Sequence, residues 1–495
     1  MLVLGTLALS LGTFVNVLDM SIANVSLPTI AGDLGASANQ GTWIITSFAV
    51  ASAISIPLTG WLTERIGQVR LFVSSILLFT FASWLCGIAP TMDSLIAARV
   101  FQGLVSGPMI PLSQSLLLLS YPKAKAGLAM AMWGMTTLVA PVIGPLLGGW
   151  ITETYSWPWI FYINIPFGIG SAALCWMIYK DRETATRKLP IDKVGLGLLV
   201  VWVGALQIML DKGREMDWFA SPEIITLAII AAIGFAVFLV WELTEEHPIV
   251  DLSLFKERNF WVGTLAMGIA FGAYFGNVVL LPLWLQQFMG YTATWAGLVT
   301  APVGILAIVC SPIVGKKMGT TDARSIITIS FVIFAIVMWM RSQFNTDVDP
   351  QTILVPIVLQ GIALATFFVP LIALTLSDLP PERIPAASGL SNFVRITAGA
   401  FGTSIATTVW EDRSAEHHAR MAENLTRDNA VLSEALNGFE ANGFDEQQAM
   451  SIIDQLATQQ AFTIGIDEIF LASAGLYLLM IPLVWMARRV EPQAN

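Results

Sequence analysis

Apolar residues run along this chain in blocks rather than in alternation. Fourteen stretches are nearly free of charge, at roughly 4–27, 42–62, 71–90, 94–119, 126–150, 158–179, 194–210, 222–242, 260–283, 296–315, 325–341, 352–376, 386–409 and 465–487. About 20 apolar residues are needed for a helix to cross a bilayer, so the pattern predicts an all-α polytopic membrane protein with 14 spans. Glycine and proline interrupt many blocks, which is tolerated where neighbouring helices re-satisfy the freed backbone groups. The first block has no basic segment before it and is interrupted by Asp19, so it reads as a retained helix and not a signal peptide. One long polar stretch stands apart, 411–463. There Leu425, Leu432 and Leu436, then Ile452, Ile453 and Leu456, recur at helical spacing, broken by Asn437-Gly438 and Asn442-Gly443. Two amphipathic helices outside the membrane are expected, serving either as a solvated cap or as a docking surface.

Composition agrees with the pattern. Of 495 residues, 55% are hydrophobic and 12% charged, with a mean hydropathy of +0.71. That excludes a soluble domain, a disordered chain and a secreted disulfide scaffold. The net charge is −10, and the segment 411–463 holds ten acidic and three basic residues. With a cytoplasmic N-terminus, seventeen Lys and Arg residues fall in inside loops and six in outside loops, Lys212 and Arg341 among the six. The positive-inside rule then places both termini in the cytoplasm and 411–463 outside. Cys86, Cys175 and Cys310 lie in apolar blocks and read as buried hydrophobes. No basic patch suggests nucleic acid, and no metal-ligand spacing, Walker loop, nucleophile elbow or HExxH pattern occurs.

The chain repeats itself at an offset of about 255–262 residues. Gly5-Thr-Leu-Ala8 returns as Gly263-Thr-Leu-Ala266, Pro57 and Gly60 as Pro312 and Gly315, and Gln102-Gly103 as Gln360-Gly361. Leu119-Ser120 returns as Leu376-Ser377, and Gly127-Leu128 as Gly389-Leu390. Two copies of a six-helix unit are implied, with two spans inserted between them, a 6+2+6 layout. The expected divisions are 1–180, 181–259 and 260–495, the last including loop 411–463. Parallel repeats of this kind place a substrate site between the halves near the midplane.

Three charges fall well inside spans: Asp19, Arg99 and Arg395. Each costs about 2.5–3.5 kcal/mol at a helix centre. In the repeat Asp19 aligns with Asn277 and Arg99 with Ile357, so the fold itself does not require the first two. Asp19 lies roughly 12 Å and Arg99 roughly 8 Å from the outer surface by helical rise, so the two could pair. Asn16 shares a face with Asp19, and Gln102 with Arg99, which suggests a hydrated lining. Asp19 serves either as a structural partner or as a carboxylate that takes and releases a proton; motion of Arg99 would switch its proton affinity. Arg395 shares a face with Asn392, Gly399 and Gly402. It meets either an anionic substrate group or backbone carbonyls.

These residues sit in motifs that resemble a known family. Gly60-Trp-Leu-Thr-Glu64-Arg65-Ile-Gly67 resembles the loop 2–3 motif of the major facilitator superfamily, less basic than usual because Gln68 and Val69 follow. Leu95-Ile-Ala-Ala-Arg99-Val-Phe-Gln102-Gly103 resembles its span 4 motif. Gly144-Pro145-Leu-Leu-Gly148-Gly149 resembles the span 5 motif of antiporters, with Ala140 at an upstream glycine position. Leu18-Asp19-Met-Ser-Ile-Ala-Asn24-Val-Ser-Leu-Pro28 and Trp159-Ile-Phe-Tyr-Ile-Asn164-Ile-Pro166 resemble signatures of the fourteen-span drug/proton antiporters. The likeness extends through Trp43, Gln114 and Asp211 to the multidrug-exporter branch of that group. The short cytoplasmic tail usual there is not matched, because Met1 stands almost in the first helix.

The resemblance implies a non-enzymatic, proton-driven exporter of hydrophobic drugs and toxic compounds in a bacterial inner membrane. The proton gradient replaces any cofactor, and a periplasmic membrane-fusion adaptor and an outer-membrane channel are the implied partners. Export of an endogenous metabolite on the same fold is the alternative, and a membrane enzyme or scaffold a third class. Gly60, Glu64, Arg65 and Gly67 read as a cytoplasmic latch. The small residues Gly144, Gly148 and Gly149, with Pro145 bending the helix, read as a movable boundary between the halves, or as ordinary close packing. Trp133 aligns with Arg395, so both are expected at a central cavity. With Tyr274 and Asn277, Trp133 would suit flat apolar molecules. The two inserted spans are expected at the periphery.

Overall fold

The computed structural model describes residues 2–36, 38–187, 190–318, 320–424 and 429–489. Among them every regular element is a helix. The first, α1 (Leu2–Asp33), continues through Pro28. Helices α2 (Ala38–Ser55) and α3 (Thr59–Ile66) meet at a 62° bend, where Pro57 withholds a backbone donor. Gly67 then adopts φ +95°, a conformation open chiefly to glycine, and turns the chain into α4 (Gln68–Gly87). Next come α5 (Met92–Ser106), started by a Thr91–Ser94 capping box, and α6 (Met109–Ser120). Helices α7 (Lys123–Thr154), α8 (Trp159–Tyr162) and α9 (Asn164–Tyr179) complete a first group, followed by α10 (Lys193–Lys212) and α11 (Pro222–Thr244). A second group comprises α12 (Arg258–Gln287), α13 (Ala293–Thr300), α14 (Val303–Lys317), α15 (Ala323–Arg341), α16 (Pro350–Leu376), α17 (Ile384–Asn424), α18 (Ala430–Ala441) and α19 (Glu446–Trp485).

Eleven described stretches are long and apolar enough to cross a membrane, or twelve if the bent α2–α3 pair is one span. The fourteen expected spans exceed that number because the fifth and thirteenth fall on α7 and α17. Several α7 side chains lie outside the described residues, and α17 is diluted by Asn392, Arg395 and a charged extension past Trp410.

The internal repeat is also a repeat of packing. Within the first group α1 packs on α7 and α9, α2 on α5, and α4 on α5 and α9. Within the second, α12 packs on α17 and α19, α14 on α16, and α15 on α16 and α19. The aligned glycines Gly103 and Gly361 make the same contact twice. A Cβ on Gly103 would stand 2.4 Å from the Phe48 carbonyl oxygen of α2, and one on Gly361 2.4 Å from the Val303 carbonyl oxygen of α14. Only a residue without a side chain lets those backbones approach. Across the groups, α14 and α16 lie on α7, and α17 lies on α6 and α3.

Four expectations are corrected. The 411–463 segment is not a pair of separate helices: α17 and α19 extend through it as the 41- and 40-residue helices Ile384–Asn424 and Glu446–Trp485, with the short α18 between. Leu425 lies outside the described residues. The extension is tied by an Arg413–Glu468 ion pair, by His417–Glu468 and His418–Asp454 hydrogen bonds, and by the Trp410 indole donating to the Phe462 carbonyl. Lys212, assigned to an outside loop, closes α10 at 7% exposure and donates to Thr42. Arg341, likewise assigned outside, is 2% exposed within the second group. Finally, the periphery expected of the inserted pair fits α11, which packs on α10 and is mostly exposed, but not α10. Helix α10 packs on α2 of the first group and α17 of the second, with Thr46 donating to Asp211, Ser404 to the Leu210 carbonyl and Arg214 to Glu411.

Candidate functional site

The first group encloses a charge network. Asp19 sits mid-way along α1 and Arg99 mid-way along α5, and both side chains are fully buried. Arg99 Nη1 donates to Asp19 Oδ2 at 2.5 Å and to Gln102 Oε1 at 2.6 Å, while Nε donates to the Ile44 carbonyl at 3.0 Å. Gln102 Nε2 and Asn164 Nδ2 donate to Asp19 Oδ1 at 3.2 and 2.8 Å, and both also donate to Ser83 Oγ. Every described partner of the carboxylate is an N–H donor, the environment of an anion. The guanidinium face lies 4.3 Å from the Phe48 ring centroid and 5.6 Å from that of Phe161, which favours a cation. Arg99 Nη2 has no partner among the described residues. A balanced pair thus stands in an apolar core, and adding a proton to the carboxylate would leave the guanidinium charge unopposed.

A second arrangement lies between the groups. Gln114 of α6, Met267 of α12, Ile372 and Thr375 of α16, and Asn392 and Arg395 of α17 line a narrow cavity. Its volume is about 10 Å³, room for about one water molecule and far below the 300–1,000 Å³ of a drug-sized pocket, so in this conformation the cavity is closed to substrate. Asn392 Nδ2 donates to Gln114 Oε1 at 2.8 Å, joining the two groups across the cavity. Arg395 donates to Asn392 Oδ1 at 2.9 Å and stacks 4.6 Å from the Phe271 centroid. The described ion pairs give it no carboxylate. An anion would find there a cation and an amide, and the rings of Phe271 and Phe368 flank the guanidinium without lining the cavity.

The other expected cavity residues lie elsewhere. Asn16 is 3% exposed and donates to the Ser106 carbonyl within the first group. Gln102 belongs to the charge network. The Trp133 indole donates to Ser113 Oγ at 2.9 Å and is 3% exposed, so in this conformation its ring is occupied by packing. Tyr274 packs among Phe271, Phe275 and Phe334, and Asn277 donates to Ser473 Oγ, both inside the second group.

Two glycines of the span 5 motif, Gly144 and Gly148, face α1 of their own group. A Cβ on Gly144 would meet Ser21 at 2.5 Å and one on Gly148 the Ile22 carbonyl at 2.8 Å, so they seat α7 on α1. Gly149 follows them in α7, and the Pro145 ring lies outside the described side chains.

At the end carrying most basic loops, Gly60 is the motif residue seen against the second group, beside Ile56 and Thr59, which lie against Gly389. A Cβ there would stand 2.5 Å from that of Ala386. The Glu64 backbone carbonyl accepts from Arg187 N–H, and Arg65 lies over Trp61. Gly67 is held by Glu183, whose carboxylate accepts the Val69 and Arg70 N–H groups at the start of α4. Sequence reasoning placed Gln114 and Asn164 in family motifs without giving either a role, and passed over Ser83 and Glu183. The available signal was a polar side chain within an apolar block at Ser83, Gln114 and Asn164; Glu183 had none.

Residues 9–403 match the profile of the Major Facilitator Superfamily. The chain is 52% identical to the fatty acid resistance protein FarB of Neisseria gonorrhoeae, covering 98% of this chain and 95% of that one. It is 51% identical to the multidrug export protein EmrB of Escherichia coli (strain K12), again over 98% and 95%. Among solved structures, the proton:xylose symporter XylE superposes with a TM-score of 0.63 at 13% identity, over 100% of this chain and 97% of that one, a likeness of fold.

Proposed function

The chain belongs to the major facilitator superfamily and is a multi-pass membrane transporter, and we propose that it exports hydrophobic and amphiphilic toxic compounds in exchange for protons. The Asp19–Arg99 pair carries this reading. A fully buried carboxylate and guanidinium within a transporter, absent from the repeat-related positions, is a costly arrangement that packing alone does not call for. In the conformation at hand the carboxylate is fully bonded and the halves touch at the Gly60–Ala386 end. Protonation of Asp19 weakens its hold on Arg99 and biases the helix group toward the other state. Return of the charge on the opposite side resets it. No soluble energy-coupling domain or cofactor enters this cycle.

Substrate is assigned to the cavity between the groups. Arg395, flanked by Phe271 and Phe368, suits an apolar body with a negative end, and FarB and EmrB are named for resistance to fatty acids and for multidrug export. The proposed layout has 14 spans as 6+2+6, since α7 and α17, at 32 and 41 residues, are each long enough to cross. The halves are 1–180 and 260–495 with 181–259 inserted, in a bacterial inner membrane with both termini cytoplasmic. The extension 411–463 faces the periplasm, where it would meet an adaptor leading to an outer-membrane channel.

Proteoliposomes containing only this protein test the core of the reading. An imposed proton gradient is expected to drive transport of a fluorescent hydrophobic substrate without nucleotide. A strict requirement for ATP, or transport indifferent to the gradient, would overturn it.

A further inference from the structure

Arg341 closes α15, yet its side chain does the reverse of what a terminal arginine ordinarily does in a membrane protein. Long cationic side chains near span ends turn outward to the interface. Helical side chains lean toward the helix N-terminus, and Arg341 follows that lean into the second helical group, where it is 2% exposed. Its Nη2 donates to Gln360 Oε1 at 2.5 Å, and the Phe470 ring lies 5.9 Å from the guanidinium carbon. Arg341 Nε and Gln360 Nε2, both N–H donors, have no partner among the described residues. The phenols of Tyr274 and Tyr477 lie close enough to act on the guanidinium and are uncharged at neutral pH. No described carboxylate stands within 4.0 Å.

The repeat sharpens the contrast. The offset that carries Gln102 onto Gln360 carries Ser83 onto Arg341 and Asp19 onto Asn277. In the first group, Gln102 Nε2 donates to Ser83 and Asp19, and Arg99 is neutralised by Asp19. In the second, the serine has become a cation and the carboxylate an amide whose Nδ2 is already used on Ser473 and the Ala273 carbonyl. The glutamine has turned its carbonyl to the arginine, which leaves its own N–H₂ spare. An unopposed buried charge is strongly destabilising, and the missing element is a negative charge that accepts hydrogen bonds.

We propose that Arg341 and Gln360 hold a small monovalent inorganic anion of halide size in the core of the second helical group, separate from the substrate cavity. Size follows from the near-complete burial of both donors, with the Phe470 ring 5.9 Å from the guanidinium carbon. Single charge follows from the desolvation cost, which a divalent anion would multiply.

The test is the thermal stability of the full chain in lipid nanodiscs, with chloride exchanged for bulky gluconate at constant ionic strength. The expected result is a Tm about 2–4 °C higher in chloride, saturating with concentration. Bromide should substitute for chloride, and Arg341→Gln should remove the dependence. Gln360→Leu keeps the guanidinium but deletes a donor, and should move the chloride midpoint upward about tenfold or more. Equal wild-type Tm in the two salts overturns the proposal, as does a wild-type chloride response in Arg341→Gln. Should Arg341→Gln fail to fold, an unchanged chloride midpoint in Gln360→Leu overturns it alone. None of these readings depends on transport.

Discussion

Charges inside apolar blocks carry much of the functional information in this chain. Asp19, Arg99 and Arg395 were legible because each breaks a run that otherwise contains none. Their partners were less so. Ser83 and Asn164 are modest polar residues that hydrophobic blocks often tolerate, and only their convergence on Asp19 and Gln102 gives them meaning. Arg341 was misread because a charge at the end of a block looks interfacial, and the direction of a side chain is not written in spacing. The network makes a stability prediction. Arg99→Leu alone leaves Asp19 as an uncompensated buried anion and should cost about 3–5 kcal/mol. Asp19→Asn with Arg99→Leu removes both charges and should recover a large part of that loss. Thermal unfolding of the two variants in nanodiscs checks this; a double variant less stable than the single one would show that the pair is not the unit.

Elements were legible where the apolar block coincided with the helix, and less so where the helix outran it. For α17 and α19 the block ends near 409 and begins near 465, while the helices continue through Asn424 and from Glu446. Their extension is charged and so looked like loop. Deleting 420–460 should leave intrinsic transport in proteoliposomes intact and abolish co-purification with a periplasmic adaptor; unchanged co-purification would assign the extension to a cap. Close glycine contacts give a second prediction. Gly60→Val would drive a side chain into Ala386. The clash should shift the population away from this conformation and raise thiol labelling of a Ser388→Cys reporter about tenfold. An unchanged labelling rate would mean that α3 and α17 do not gate that end. Between α14 and α15, Asp322 is held below the ordinary Asp value of 3.8 by its Arg324 hydrogen bonds, with Arg489 nearby. A depressed carboxylate stabilises the fold above its unfolded value and loses that contribution as pH falls through the folded one. Asp322→Asn should therefore lower Tm slightly at pH 7 and have no effect under strongly acidic conditions. A larger loss at acid pH would contradict the assignment.

Across the whole molecule, the repeat foretold two similar helix groups, and the paired Gly103 and Gly361 contacts reproduce it in packing. It did not foretell the place of the inserted pair, because the repeat has no counterpart for it. Packing puts α10 against both groups, at α2 and α17, while the groups touch directly at the Gly60 end. Three parts work together: a buried ionic pair in one group, an arginine with no carboxylate among its described partners at the cavity between the groups, and α10 spanning the divide. The central claim is that Asp19 is the group that takes and releases the transported proton. The direct measurement is substrate-evoked proton movement in proteoliposomes, with substrate binding measured in parallel, for the wild type and Asp19→Asn. The account predicts that the wild type moves protons and that Asp19→Asn binds substrate with similar affinity but moves none. Equal proton movement by both proteins would contradict it and place the proton route elsewhere.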